Sequence, residues 1–255
     1  MIKIIVLILA LACTAVAQRP NRPKGRQLLA DFRVDHVSNT GKIPRATERM
    51  VLSKVFRRYL TDENRCNPNS DFGEGDDPLE AARKAGQIVP SIIDMANGSF
   101  TAAGQTQTAY VISVSECNAS HADNFGTKRV AIFSGQQLVA DVDSDFMSSI
   151  VRKTDLNSDG INELLMTSGD MAQGTVTEMA TLVSFQGGQR HVLHDFGTVV
   201  EDSCASEAPG STSDISVLYI SDAAAGSMPR ITQENYRANC TRARRWRLIS
   251  RGKRN

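Results

Sequence analysis

Oxygen-bearing side chains alternate along the stretch TDLNSDGINELL, residues 154–165, which holds the densest chemistry in the chain. Asp155, Asn157 and Asp159 stand at positions 1, 3 and 5 of a loop, and Gly160 follows at position 6. Hard oxygen donors at this alternation suit Ca²⁺, because each successive residue folds another oxygen toward one centre. The glycine permits the sharp turn that such a loop needs. The spacing therefore predicts a calcium loop.

The residues after the glycine decide which kind of calcium loop the sequence predicts. An EF-hand requires a bidentate Glu at position 12, but Met166 stands there, and the acid lies at position 9 as Glu163. The next residues, LLMTSG, are typical of a strand and not of an exit helix. An EF-hand and a dockerin are both disfavoured, because each follows its loop with a helix.

The loop resembles that of FG-GAP/VCBS repeats, which form the blades of integrin-type β-propellers. Their pattern is D-x-[DN]-x-D-G-x-x-[DE] followed directly by an apolar strand, and here Glu163 stands where Asp is commoner. The resemblance implies one Ca²⁺ ion, in preference to Mg²⁺, since the loop offers many flexible carboxylates. The alternative is a polar turn that binds no ion. The implied side-chain ligands are Asp155, Asn157, Asp159 and Glu163, with the backbone carbonyl of Ile161 as a further ligand.

A weaker copy of this pattern precedes the loop and predicts an internal repeat. Gly104 aligns with Gly160, and Phe133 aligns with Phe185, with a small slip between the two pairs. A third copy begins near Asp214. The first copy carries no carboxylate at the ligand positions, so we expect it to hold no ion and the ion of the second copy to be structural. The equivalent residues are Ser99, Thr101, Ala103 and Gln107.

Hydrophobic periodicity divides the rest of the chain. The composition of residues 18–42 predicts a flexible leader, and residues 43–97 are predicted to form a helical region. Its helices are expected over about 45–61, from Pro78, and over PSIIDMA, which ends at a cap formed by Asn97-Gly98. Residues 98–250 predict a β domain of two or three blade-like repeats, and 251–255 a basic tail. The predicted strands are Gln107–Val114, Lys128–Phe133, Leu138–Val142, Ile150–Lys153, Glu163–Thr167, Thr175–Phe185, Arg190–His194, Ser216–Ile220, Arg230–Tyr236 and Trp246–Ile249.

These elements predict an α+β fold in which N-terminal helices precede a mostly antiparallel β domain. A closed propeller needs about four to eight blades, more than residues 98–250 supply at the period of this repeat. We therefore expect a β-sandwich or a partial-propeller-like domain, with the helices covering an edge or a face.

Residues 1–17, MIKIIVLILALACTAVA, have the pattern of a secretory signal peptide cut before Gln18. A lipoprotein anchor at Cys13 is the alternative. We predict an exported protein, secreted or periplasmic, with no transmembrane segment, because no apolar run is long enough to span a bilayer. Four cysteines then remain and predict two disulfides, for which we favour Cys204–Cys240 and Cys66–Cys117 among three pairings.

Charge is balanced overall but unevenly distributed. Removing residues 1–17 removes one of 29 basic residues, so 28 remain against 28 acidic ones, which argues against a nucleic-acid binder. The C-terminus carries an arginine cluster that is either a solvated tail or a contact for an anionic envelope surface. Its basic residues are Arg242, Arg244, Arg245, Arg247, Arg251, Lys253 and Arg254.

No recognised catalytic motif is present, so the sequence favours a module without enzymatic activity. His191 and His194 lie three residues apart in a predicted strand and face opposite sides, which disfavours a shared metal. Three hypotheses follow: a calcium-stabilised module that binds or scaffolds a protein or polysaccharide, a secreted hydrolase with an unrecognised acidic site, and an envelope-associated protein docking through its arginine-rich C-terminus. Other candidate residues are Cys117, His121 and Asp123, the acids Asp143 and Asp145, and a degenerate second loop at Asn67, Asn69 and Asp71.

Overall fold

The computed structural model describes residues 25–34, 43–56, 88–116, 127–206, 208–221, 223–224, 226–241 and 244–253. Within these residues the chain forms one α-helix and twelve β-strands. The elements are β1 (Gln27–Asp31), α1 (Arg45–Val55), β2 (Ile88–Gly98), β3 (Gln107–Glu116), β4 (Thr127–Ser134), β5 (Gln137–Asp143), β6 (Ser149–Thr154), β7 (Glu163–Ala172), β8 (Thr175–Ser184), β9 (His191–Asp202), β10 (Thr212–Ile220), β11 (Ile231–Asn239) and β12 (Arg247–Lys253).

The predicted α+β class is wrong, because the described chain is mostly antiparallel β with a single helix. The short helix expected over PSIIDMA is instead part of β2, which pairs antiparallel with β3 over most of its length. A short apolar run does not distinguish a helix from a buried strand. Pro90 is tolerated because β2 is an edge strand, where a missing N–H breaks no ladder on the open side. The helix predicted from Pro78 lies outside the described residues.

The strands form two antiparallel sheets. One has four strands in the order β2-β3-β4-β5, and the other has eight, in the order β12-β11-β10-β9-β8-β7-β6 with β1 paired to β10. Neighbours along each path are consecutive in sequence, and two-residue turns connect β4 to β5 and β7 to β8. The two sheets agree partially with the predicted β-sandwich.

Three apolar clusters hold the layers together. Alternate side chains of β3 point to opposite faces: Ala109 and Val111 meet β7 and β8 of the long sheet, while Tyr110 and Ile112 meet α1. The helix covers the outer face of the four-stranded sheet through residues that include Val51 and Leu52. A third cluster lies among β1 and β7 to β11. Strands buried on both faces explain the continuous apolar runs in the sequence.

A buried carboxylate joins the two sheets. Asp94 of β2 is fully buried, and its Oδ2 accepts a hydrogen bond of 2.7 Å from the backbone N–H of Ile150 in β6. The pairing of β6 with β7 is irregular just after Ile150. The Asp94 side chain thus bonds across the two sheets at a point where the ladder is disturbed.

Both ends of the described chain belong to the long sheet. Part of the predicted leader forms β1, which pairs antiparallel with β10, and residues 251–253 of the predicted tail belong to β12. The predicted disulfide Cys204–Cys240 is confirmed. It joins the chain after β9 to the end of β11. Cys66 and Cys117, the other predicted pair, lie outside the described residues.

Candidate functional site

The turn from residue 155 to 162 joins β6 to β7, and its own acidic side chains fold it. The Asp155 carboxylate accepts hydrogen bonds from the backbone N–H groups of Asp159 (3.2 Å) and Gly160 (3.1 Å). Asp159 Oδ1 accepts one from the N–H of Ile161 at 2.8 Å. These local bonds are the reason that Asp and Asn favour such turns. A carboxylate can accept about four contacts in all, so one carboxylate can bond the backbone and a cation together.

Gly160 has two reasons to be glycine. Its φ is +85°, a left-handed value that costs residues with a side chain about 1–2 kcal/mol. A β-carbon added there would lie 3.0 Å from the β-carbon of Ala103 in the turn between β2 and β3. The two turns therefore pack against each other. The N–H of Asn162 also donates to the carbonyl of Ser99 at 2.6 Å.

Glu163 closes the turn from inside the protein. Its side chain is only 2% exposed, and its Oε2 accepts a hydrogen bond of 2.7 Å from the N–H of Leu156. The pKa of this carboxyl is raised to about 7, mainly by burial. The charges of Asp159 and Asp155 add to the rise, and two backbone hydrogen bonds oppose it. Among the described residues, no basic side chain forms an ion pair with Glu163. A buried carboxylate without a counter-charge is costly.

The turn between β2 and β3 provides an internal comparison. Gly104 has a φ of +72°, and the N–H of Phe100 donates to Gln107 Oε1 at 2.8 Å, as the N–H of Leu156 donates to Glu163. The N–H of Gly187 donates to the carbonyl of Thr101 at 2.9 Å. In the turn between β6 and β7, the carbonyl of Asn157, the counterpart of Thr101, accepts a hydrogen bond of 2.6 Å from the N–H of Gly226. Gly104, Phe100, Thr101 and Gln107 all precede their counterparts by the same interval in the sequence.

The two turns differ in how the buried group at the ninth position is satisfied. Gln107 is 3% exposed, its Oε1 also accepts from the N–H of Thr101 at 3.0 Å, and its Nε2 donates to Thr101 Oγ1 at 2.6 Å. The neutral amide thus supplies its own donor to the interior of the turn. The carboxylate of Glu163 has no such donor. The amide of Asn157, at the position of Thr101, donates instead to Asp159 Oδ2 at 2.9 Å.

The donor set of the later turn fits a hard cation, although its carboxylates do not converge on one point. Asp155, Asp159 and Glu163 do not bring one oxygen each within 4.8 Å of one another. Among the described residues, the one group of three acid, histidine or cysteine atoms that does so is Asp202, Cys204 and Cys240. Its sulfurs form the disulfide, and a sulfur in a disulfide is not the thiolate that binds metal. Binding one ion would require the turn's carboxylates to draw together.

The other candidate residues do not assemble a site. His194 contacts the ring of Phe196, and Asp195 accepts a hydrogen bond from the N–H of Gly197. Asp143 bonds the backbone of Asp145, whose carboxylate pairs with Arg190 at 3.0 Å. His191 is exposed on β9, and the remaining candidates lie outside the described residues. These are Asn67, Asn69, Asp71, Cys117, His121 and Asp123.

Two features of the site were not expected from the sequence. The alignment shows that Gln107 stands where a carboxylate is missing. It does not show the hydrogen bonds that the Gln107 amide makes, because these depend on how the turn folds. Asp94 gives no sequence signal, since its partner Ile150 lies 56 residues away.

No protein-family model matches the chain, and no curated protein or solved structure matches it either. The described residues include no helix that is both long enough and apolar enough to cross a membrane.

Proposed function

We propose that this chain is an exported β module whose turn between β6 and β7 is held by one structural Ca²⁺ ion, and that the module binds or scaffolds another molecule. The ion would take side-chain oxygens from Asp155, Asn157, Asp159 and Glu163 and the backbone carbonyl of Ile161. The disulfide supports export, because disulfides persist in oxidising compartments.

The observation that carries the proposal is the exchange between Gln107 and Glu163 in two otherwise matched turns. Each residue is buried, and each accepts a hydrogen bond from the N–H seven residues earlier. The amide turn is complete without an ion, because Gln107 donates to Thr101. The carboxylate turn carries three acids in a segment where the described residues offer no basic partner to Glu163. A divalent cation supplies the missing positive charge.

Calcium suits this donor set better than magnesium. Calcium accepts six to eight oxygens at variable distances, whereas magnesium requires a near-ideal octahedron and keeps several waters. The flexible carboxylates of Asp155 and Asp159 can move toward a large ion. A structural role follows from the location of the turn, which lies between two strands and against the matched turn. An ion that binds only the folded chain stabilises it by mass action.

The test is calorimetry on the purified, chelator-treated chain. We expect Ca²⁺ at about 100 times its Kd to add about 2.7 kcal/mol to the free energy of unfolding, and Mg²⁺ to add much less. The double variant Asp155→Asn/Asp159→Asn should lose this response. The control Asp170→Asn, a change of an exposed acid on β7, should keep it. Equal Ca²⁺ responses in the double variant and the wild type would rule out the site.

A further inference from the structure

A basic groove lies at the edge of the long sheet, where β11 and β12 meet the segment between them. Its volume is about 530 Å³, and none of the described residues that line it is acidic. Three of the lining residues are arginines and one is the chain's only tryptophan. The residues that matter here are Arg237, Asn239, Thr241, Arg245, Trp246 and Arg247.

The sheet register sets two like charges directly opposite each other in this groove. Asp214 of β10 is the register partner of Arg237 in β11, and Arg237 is the register partner of Arg247 in β12. Arg237 forms a bidentate ion pair with Asp214, at 2.7 and 2.6 Å, and this pair raises the pKa of the Arg237 guanidinium. Arg247 has no such partner among the described residues. Like charges at opposite positions of neighbouring strands are destabilising.

Arg245, the third arginine of the groove, also has no ion-pair partner among the described residues. Arg245 and Arg247 are exposed, and within the described part of the chain neither forms an ion pair. By contrast, Arg251 of the same strand as Arg247 pairs with Glu234 at 2.6 Å. Arg245 and Arg247 thus have no ion-pair partner within the described part of the chain, and an anion from outside can pair with them.

The groove is built from anchored pieces of chain. The disulfide fixes Cys240 at the end of β11, and Arg244 binds Asp202 at 2.6 Å and Ser213 Oγ at 3.3 Å. Arg245 and Trp246 therefore lie between the anchored side chain of Arg244 and the first residue of β12. Such anchoring lowers the entropic cost of binding, because less of the site has to become ordered when a ligand binds.

We infer that this groove binds an anionic polysaccharide, one that carries carboxylate or sulfate groups. The planar guanidinium groups of Arg245 and Arg247 match the geometry of these anions with paired hydrogen bonds. Trp246 is partly buried and offers an aromatic face to a sugar ring, while Asn239 and Thr241 can bond its hydroxyl groups. A concave groove receives a single polymer chain, whereas a bilayer surface requires a flat or convex contact.

The test follows Trp246 fluorescence during titration with polygalacturonate and with dextran sulfate, using neutral dextran as a blank. We expect binding to one of the charged polymers that weakens as salt is added, because salt screens exposed charges. Arg247→Gln should weaken this binding about tenfold, the loss typical of a charge-assisted hydrogen bond. The matched control Arg230→Gln removes an exposed arginine outside the groove and should leave the affinity unchanged.

Three results would overturn the inference: no binding to either charged polymer, equal weakening by both variants, or binding only to anionic lipid vesicles or single-stranded DNA. Misfolding is separated from lost contact by the melting temperature, which Arg247→Gln should maintain or raise because it removes the repulsion from Arg237. The groove does not depend on the calcium proposal. Glu163→Gln should retain polymer binding, so the two proposals fail separately.

Discussion

Replacing Glu163 with Gln removes a buried negative charge and keeps the shape of the side chain. In the chelator-treated protein this substitution should stabilise the fold, although it deletes a proposed calcium ligand. Gln107 shows that a glutamine fits the corresponding place in the matched turn, where its Oε1 accepts the same backbone hydrogen bond. The substitution therefore separates the cost of the charge from the packing of the side chain.

The size of the effect follows from the pKa of Glu163, which burial raises from 4.5 to about 7. Below pH 4.5 the carboxyl is protonated in both the folded and the unfolded chain, and the substitution should change little. Between pH 4.5 and 7 the folded chain holds a proton that the unfolded chain releases, so the free energy of unfolding falls as the pH rises. Above pH 7 the full penalty is about 3 kcal/mol.

The assay is thermal and urea unfolding of the wild type and Glu163→Gln at pH 4 and pH 8 with a chelator present. We expect equal stability at pH 4. At pH 8 the variant should be more stable by up to about 3 kcal/mol, a rise in melting temperature of about 6–12 °C for a chain of this size. Other acids titrate in both proteins, and their contributions cancel in the difference.

Adding Ca²⁺ at about 1,000 times its Kd adds about 4.1 kcal/mol to the stability of the wild type. At pH 8 this should reverse the order, because the gain exceeds the penalty of about 3 kcal/mol and the variant has lost the charge that attracts the ion. Two outcomes would refute this reasoning. One is a wild type as stable as Glu163→Gln at pH 8 without metal, which would show that the buried charge carries no penalty. The other is a variant that gains as much stability from Ca²⁺ as the wild type.

Three further substitutions test the surrounding structure. Gly160→Ala should lower the free energy of unfolding by about 2–3 kcal/mol through backbone strain and overpacking. Gly104→Ala should lower it by only about 1 kcal/mol, because an added β-carbon there meets nothing within 4 Å. Equal losses in urea titrations would contradict the close packing of the two turns. Asp94→Ala should cost about 2–3 kcal/mol, because it leaves a buried N–H of β6 without an acceptor, and a loss below about 0.5 kcal/mol would discount that bond. Cys204→Ser should cost about 4 kcal/mol by releasing a loop of 36 residues to Cys240; reductant should destabilise the wild type and leave the stability of the variant unchanged.

The strands after residue 98 were predictable because their signals are local. Runs such as AYVIS and ELLM are apolar on both faces, and the turns between them carry glycine at positive φ, as at Gly135 and Gly187. Where the prediction stopped short, the strand continues with polar residues. β7 was predicted over Glu163–Thr167 and extends to Ala172, because its exposed half is supported by pairing with β8 and not by burial.

The two strands that begin before residue 98 were not predicted, each for its own reason. β1 is only five residues long and directly follows a basic, proline-containing segment, and its partner β10 lies near the opposite end of the sequence. The apolar run of β2 is too short to distinguish a helix from a strand, and its pairing with β3 makes it a strand. Local propensity is a weak preference that tertiary pairing overrides.

The sequence by itself determined the alternation of oxygen-bearing side chains at residues 155–163 and the absence of carboxylates in the earlier copy, since both depend only on residue types at fixed spacing. That this loop binds calcium stays a prediction. Only the tertiary structure decided that Glu163 is buried without a counter-charge among the described residues while Gln107 is satisfied, and that Arg237 faces Arg247 in one groove. Burial and strand register depend on contacts between distant segments. The energetic cost of a charge depends on those surroundings, which no short pattern of residues contains.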